Sequence, residues 1–266
     1  MTDDPWAGSA RAYADYAAAH PLYADTSRDL VALAGLEPDA MVLDLACGTG
    51  ATTREILAAL GPAGRVTGVD GSAGMLARAA QSTSDSRVRF LLGTAERVDA
   101  VAPGPFDAAV CNSAMWQTVL PETFAAVRRV LGEGGRLAFN VPAPYLGEQP
   151  DGTDILARAV ELARAEGWQP PSGRPRRWPP AEEIAALLTA AGYQRVRVER
   201  RTYQVTVAAE HGWLSIPIFT ERALAGLPYE QRRRLVDAAY AQADPAAVTQ
   251  SSWAVFVAYC TRSGLG

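Results

Sequence analysis

The 266-residue chain contains no lysine; all 25 of its cationic side chains are arginine. Chemistry that needs a side-chain amine is thereby excluded: a pyridoxal Schiff base, a P-loop phosphate lysine, a kinase ion-pair lysine or a lysine general base. The tyrosine–lysine arrangement of short-chain reductases goes with them. Histidine occurs only at positions 20 and 211, and the three cysteines (Cys47, Cys111, Cys260) have unrelated spacings. So few soft ligands lead us to expect no metal, and thiols that are reduced and buried rather than disulfide-bonded. No run approaches the roughly 18 apolar residues of a membrane span, and the first five residues lack a basic or apolar leader pattern. No membrane partner and a cytoplasmic location are expected. A net charge of −4 offers no footprint for nucleic acid.

The remaining composition suits a globular chain, with 48% hydrophobic and 20% charged residues. Residues 6–36 carry a helical pattern with an aromatic face (Tyr13, Tyr16, Tyr23), ended by Pro38 and Asp39. Strands are expected at 41–46, 65–70, 88–92, 106–111, 136–141, 193–203 and 252–261. Helices are expected at 52–60, 73–80, 122–131, 155–166, 182–191 and 229–243. Alternation of strand and helix over 41–141 implies a parallel sheet with helices on both faces.

In such sheets ligands sit beyond the carboxyl ends of the strands. After the first strand, Gly48 and Gly50 allow a sharp turn and close approach of a ligand to the backbone and to the amides opening the next helix. The third glycine of a dinucleotide fingerprint is missing, since position 53 is threonine, and Asp44 lies inside the strand. An acid beside the turn disfavours a pyrophosphate and favours a cation. Asp70, 20 residues beyond Gly50, stands where a carboxylate accepts ribose hydroxyls. Gly93-Thr94-Ala95-Glu96 can meet an adenine edge, Met75 and Leu76 can pack on its face, and Asn112-Ser113 reaches the reacting end. Together these residues describe a binder of adenosine with a cationic, phosphate-free tail.

The run from Val42 to Gly50 resembles the glycine motif of class I S-adenosylmethionine (SAM) methyltransferases. Val69 to Leu76, Gly93 to Glu96, Phe106 to Asn112 and Leu131 to Leu137 resemble the later motifs of that family, in its order. The segment Arg11 to Tyr16 and the stretch Ile184 to Val198 extend the resemblance to the UbiE-type and small-molecule methyltransferases. The resemblance implies a Rossmann-like, doubly wound α/β sheet of seven strands with the last antiparallel, plus helical cap inserts. It divides the chain into an N-terminal helical lid (1–40), a SAM-binding core (41–141), an insert (142–180), a core helix and strand (181–203), a substrate-cap insert (204–250) and a final core strand (251–266). By the same similarity Tyr13 or Tyr16 closes over the methionine end of SAM. Asp44, Ala46, Gly48, Thr49 and Gly50 form the turn, Asp70, Gly71, Ser72 and Met75 flank the ribose and adenine, and Thr94, Ala95, Glu96 and Asn112 complete the cofactor set.

The implied activity is methyl transfer to a small aromatic or polyketide-like acceptor, with oxygen slightly preferred over carbon or nitrogen. Candidate bases are His211 and His20; candidate acceptor contacts are Trp116, Tyr145, Trp178, Trp213 and Phe219. The arginine clusters at 174–177 and 232–234 read as solvated faces, with recognition of an acidic or carrier-bound acceptor as the alternative. Two rivals stand beside this reading: an aminopropyl or carboxymethyl transferase on the same fold, and a non-catalytic SAM-binding regulatory subunit. A monomer or homodimer is expected.

Overall fold

A computed structural model describes residues 4–147, 155–171 and 178–261. Helices α1 (Ala10–Ala19) and α2 (Leu22–Ala34) precede the core. There follow β1 (Met41–Leu45), α3 (Ala51–Ala59), β2 (Arg65–Asp70), α4 (Ala73–Ser82), β3 (Val88–Leu92), α5 (Val98–Val101), β4 (Phe106–Cys111), α6 (Leu120–Val130) and β5 (Leu131–Pro142). The second half holds α7 (Ile155–Ala165), α8 (Ala181–Ala190), β6 (Tyr193–Thr206), α9 (Val207–Leu214), α10 (Pro217–Glu221), α11 (Tyr229–Tyr240) and β7 (Val248–Cys260).

The seven strands form one sheet in the order β3-β2-β1-β4-β5-β7-β6, with β7 antiparallel to both neighbours and the other pairings parallel. This is the Rossmann-like arrangement that the motifs imply. The order reverses between β1 and β4, and that switch point opens a crevice beyond their carboxyl ends. Period-two alternation divides the sheet residues between two cores. Val42, Val66, Ala108, Ala138 and Val255 pack with Leu30 and Val31 of α2 and with Ile56 and Leu57 of α3. Leu43, Leu45, Ala109, Leu137, Phe139 and Phe256 face the other way, toward α6 and α8. Phe139 and Phe256 stack at 4.8 Å across the antiparallel pair, with Phe124 of α6 at 5.7 Å from Phe139. Helix α6 shows how local sequence supports the packing: Pro121 and Glu122 open it, and Arg128 and Arg129 face its negative end.

The cap has its own core. Ile155 and Ala159 of α7 pack against Val207 and Leu214 of α9 and Leu235 and Val236 of α11. A fourth cluster joins the N-terminal helices to it through Tyr16, Tyr23, Ile216 and Trp253.

Several expectations need correction. The N-terminal helical pattern is two helices, because Pro21 has no amide to continue α1. Strand β5 begins at Leu131, directly after α6, while β6 runs on to Thr206 and β7 starts at Val248, so these last two extend further into the 204–250 insert than the apolar runs indicate. Helices α9 and α10 lie in the 204–250 insert, where only the helix at 229–243 is expected individually. The cluster 232–234 is a solvated face only in part: Arg232 is buried and donates to the Pro217 carbonyl at 2.9 Å, while the more exposed Arg233 and Arg234 pair with Asp237 and Glu166. The cluster 174–177 lies outside the described residues. Among the described residues no helix is long and apolar enough to cross a membrane.

Candidate active site

The turn after β1 is built on positive-φ backbone at Ala46 (53°), Gly48 (55°) and Gly50 (81°). A side chain on Gly48 would meet nothing within 4 Å, so glycine serves there for backbone conformation and for the open space above it. The Gly48 amide donates to Asp70 Oδ2 at 2.8 Å and the Ser72 amide to Asp70 Oδ1 at 2.8 Å, which locks the ends of β1 and β2 together. Burial raises the Asp70 pKa, against the opposing pull of those amides. Beneath the turn lies Asp44, 1% exposed; its Oδ2 accepts the Thr53 hydroxyl and its Oδ1 has no partner among the described residues. Burial pushes its pKa up to about 7, with the Thr53 bond opposing and the Asp70 charge adding.

Above the turn opens a cavity of about 370 Å³. Its wall brings together Tyr13, Ala46, Gly48, Asp70, Gly71, Ser72, Met75, Thr94, Ala95, Glu96 and Asn112, with Asp4, Trp6, Tyr23, Ser113, Gln117 and Phe219. Asp4, Asp70 and Glu96 are acidic, and no cationic side chain stands among its described lining residues. Glu96 Oε1 accepts the Val119 amide at 2.9 Å. The N-terminal segment crosses this cavity as a strap: the Ser72 hydroxyl donates to Asp4 Oδ2 at 2.8 Å on one bank, and the Trp6 indole donates to Gln117 Oε1 at 2.9 Å on the other. An acidic pocket of this kind repels a pyrophosphate and accommodates a nucleoside with a positive charge.

A second cavity, about 650 Å³, lies against it under the cap. The two share Tyr23, Ser113 and Phe219 as common wall. Trp116 stacks on Tyr145 at 4.6 Å and Trp213 on Phe219 at 4.0 Å, and both aromatic pairs line the larger cavity. Leu22, Leu156, Val160, Val205, Leu214 and Trp253 add apolar wall, and its charged residues are Glu161, Glu210 and Arg164. Tyr16, 5% exposed, also lines it, and its hydroxyl has no hydrogen-bond partner among the described residues.

Other candidates fall elsewhere. Asp44, Thr49 and Gly50 support the turn without lining either cavity, and Trp178 is buried in the main core. Neither histidine is among the described lining residues of these two cavities. His20 stacks on Tyr16 at 4.6 Å. His211 bonds Asp237 through Nε2 at 2.6 Å and stacks on Tyr240 at 4.0 Å. The sequence reading omits Asp4, Trp6, Gln117 and Asn140. Asn140 sits at 1% exposure between Phe139 and Val141 and accepts the Ser113 amide at 2.7 Å. A lone amide in an apolar parallel strand is the signal that could have found it, because a buried polar group demands partners.

A family model described as a methyltransferase domain matches residues 42–135. The chain is 33% identical over 168 residues to trans-aconitate 2-methyltransferase of Deinococcus radiodurans, covering 63% of this chain and 60% of that protein. It is 32% identical over 190 residues to malonyl-[acyl-carrier protein] O-methyltransferase of Geobacter sulfurreducens, covering 70% and 67%. It is 29% identical over 172 residues to aklanonic acid methyltransferase DauC of Streptomyces sp. strain C5, covering 59% and 76%. The matched part therefore spans less than two thirds of the Deinococcus protein's length and more of the other two. Among solved structures, a putative methyltransferase from Bacillus halodurans superposes with a TM-score of 0.56 at 17% identity, covering 88% of this chain and 98% of that one.

Proposed function

The chain belongs to the class I SAM-dependent methyltransferases, and from that premise we propose that it methylates an oxygen of an uncharged, ring-containing small molecule held in the larger cavity. The observation that carries the proposal is the meeting of the two cavities at Tyr23, Ser113 and Phe219. A cofactor in the smaller cavity and an acceptor in the larger one would touch across that wall. The residues of the smaller cavity fit SAM: Asp70 would take the ribose, Met75, Thr94, Ala95 and Glu96 would surround the adenine, and the acidic wall suits the sulfonium. When bound, SAM would supply a methyl group already activated for transfer: the carbon–sulfur bond would break with its electrons on sulfur, a carbon–oxygen bond to the acceptor would form, and the acceptor's hydroxyl proton would be released to bulk solvent. The protein's part is to align the acceptor and exclude water. Trp6, Tyr13 and Phe219, packed edge-on or tilted at ring separations of 5.7–6.4 Å, would cover the reacting end.

The acceptor's character follows from the wall it meets. Trans-aconitate carries three carboxylates, and a cavity with Glu161 and Glu210 facing a single arginine, Arg164, among its described lining residues would not favour it. The aromatic pairs Trp116–Tyr145 and Trp213–Phe219 suit flat rings instead. A second reading, transfer to carbon or nitrogen, draws support from the position of both imidazoles away from the cavity walls, since an electron-rich carbon or an amine needs no strong base. Incubation with methyl-labelled SAM and a panel of hydroxylated naphthalenes and anthraquinones, beside trans-aconitate, tests the proposal. Labelled O-methyl ethers of the ring compounds are expected; label on aconitate alone would overturn it, and ring C-methyl products would establish transfer to carbon.

A further inference from the structure

Tyr23 is the only phenol whose side chain lines both cavities among the described residues. It is 3% exposed and sits on α2 in the first helical turn after Pro21. The Trp213 indole, on the cap helix α9, donates to Tyr23 Oη at 2.7 Å, Tyr13 packs against the Tyr23 ring at 5.1 Å, and Ser113 stands on the same wall. Burial is the largest influence on this phenol and holds its pKa up at about 12, so it is protonated throughout the neutral range and serves as a hydrogen-bonding group rather than a base. Ser113 is itself fixed, with φ at 56° and its amide bound to Asn140. Such an over-determined residue marks a position where geometry is held against backbone strain. One helix earlier Tyr16 lines the larger cavity alone. Its ring packs edge-on to Tyr23 at 5.9 Å, and its hydroxyl is buried without a partner among the described residues. A buried donor left unbonded is costly, so this hydroxyl has the capacity to bond a group brought in by a ligand.

We propose that these two tyrosines read two oxygens of the acceptor: Tyr23 hydrogen-bonds the oxygen that takes the methyl group, at the junction of the cavities, and Tyr16 hydrogen-bonds a second oxygen further into the acceptor cavity. The inference rests on the methyltransferase reading above and adds to it an acceptor with two separated oxygens, such as a dihydroxylated or hydroxy-carbonyl ring system. It also assigns Trp213 a positioning role, because the cap then sets the reacting end through Tyr23 rather than only covering it. Tyr23 and Tyr16 divide the work: one bond matters most as the methyl group moves, the other holds the acceptor equally before and during transfer.

The test uses 1,8-dihydroxyanthraquinone and 1,5-dihydroxynaphthalene as acceptors, labelled SAM as donor, and calorimetry with S-adenosylhomocysteine in parallel. Tyr23→Phe is expected to lower kcat about 20-fold or more with KM within about threefold, and Tyr16→Phe to raise KM about 5–10-fold with kcat retained. Trp213→Phe should lower kcat in the wild-type background and have little further effect beside Tyr23→Phe, as expected of residues acting in series. Each variant should keep its affinity for S-adenosylhomocysteine within about threefold and its thermal unfolding midpoint close to the wild type's, which separates the effect from misfolding. Normal kcat in Tyr23→Phe, equal losses in kcat for both variants, or full additivity with Trp213→Phe would overturn the proposal. Wild-type protein that binds S-adenosylhomocysteine but methylates neither acceptor would also overturn it. Failure of the wild type to bind S-adenosylhomocysteine would instead bring down the reading on which it rests.

Discussion

The amide of Ser113 donates to Asn140 Oδ1 at 2.7 Å, and that bond holds a non-glycine residue in left-handed backbone at the wall between the two cavities. Asn140 in turn donates to Asn112 Oδ1 at 2.7 Å, and Asn112 donates to Ser27 at 3.0 Å, which joins Thr52 at 2.9 Å. A buried polar chain thus runs from the start of α3, past α2, to the cavity junction. Asn140→Leu would strand the Ser113 amide and Asn112 Oδ1, and is expected to cost about 2–4 kcal/mol of stability by urea unfolding. Turnover should fall while affinity for S-adenosylhomocysteine holds; a change in stability below about 0.5 kcal/mol would mean that the chain is not structural.

The strap over the smaller cavity is held at both banks, by Asp4 to Ser72 and by Trp6 to Gln117. Deleting residues 1–8 removes both contacts together with the Trp6 ring against Tyr13 and Phe219. We expect affinity for S-adenosylhomocysteine to weaken about tenfold, equivalent to about 1.4 kcal/mol, with the fold retained by circular dichroism. Unchanged affinity would show that the strap covers the cavity without contributing to binding.

Asp44 sets a pH dependence whose sign can be worked out. Its folded pKa, about 7, lies above the ordinary carboxylate value, so the folded state binds the proton more tightly than the unfolded chain. Stability from this group is full below the unfolded value and declines as pH rises toward 7, with each pKa unit worth about 1.4 kcal/mol. Asp44→Asn removes the titration. Its urea midpoint is expected to fall less than the wild type's between pH 4.5 and pH 8; parallel curves would contradict the assignment.

His211 is engaged with Asp237 and Tyr240, and His20 with Tyr16, and neither is among the described lining residues of the two cavities. His211→Ala and His20→Ala are expected to leave kcat within about threefold, measured with any acceptor the wild type methylates. A loss of about 10²-fold or more in either would identify a general base that the cavity geometry does not account for.

How much was legible in the chain divides along a physical line. The core strands and the glycine turn repeat a local signal, since a doubly buried parallel strand is a short apolar run and a turn needing positive φ is marked by glycine. Asp70 and Glu96 were readable from their places after strands. The larger cavity was readable only as a set of aromatics, because its walls draw on α1, α2, α7, α9, β6 and β7 and no local periodicity states which side chains converge. Trp178 illustrates the limit: its neighbours in sequence match those of a cap tryptophan, yet it packs in the main core. Tyr23 looked like any residue of an aromatic helix face until Trp213, 190 residues later, was brought against it.

The central claim, that the acidic pocket above the Gly48 turn holds SAM through Asp70, is tested most directly by titration calorimetry with S-adenosylhomocysteine. One-to-one binding by the wild type is expected, weakened about 10–100-fold in Asp70→Ala through loss of charge-assisted hydrogen bonds worth about 1.5–3 kcal/mol. No binding by the wild type, or equal binding by Asp70→Ala, would contradict it.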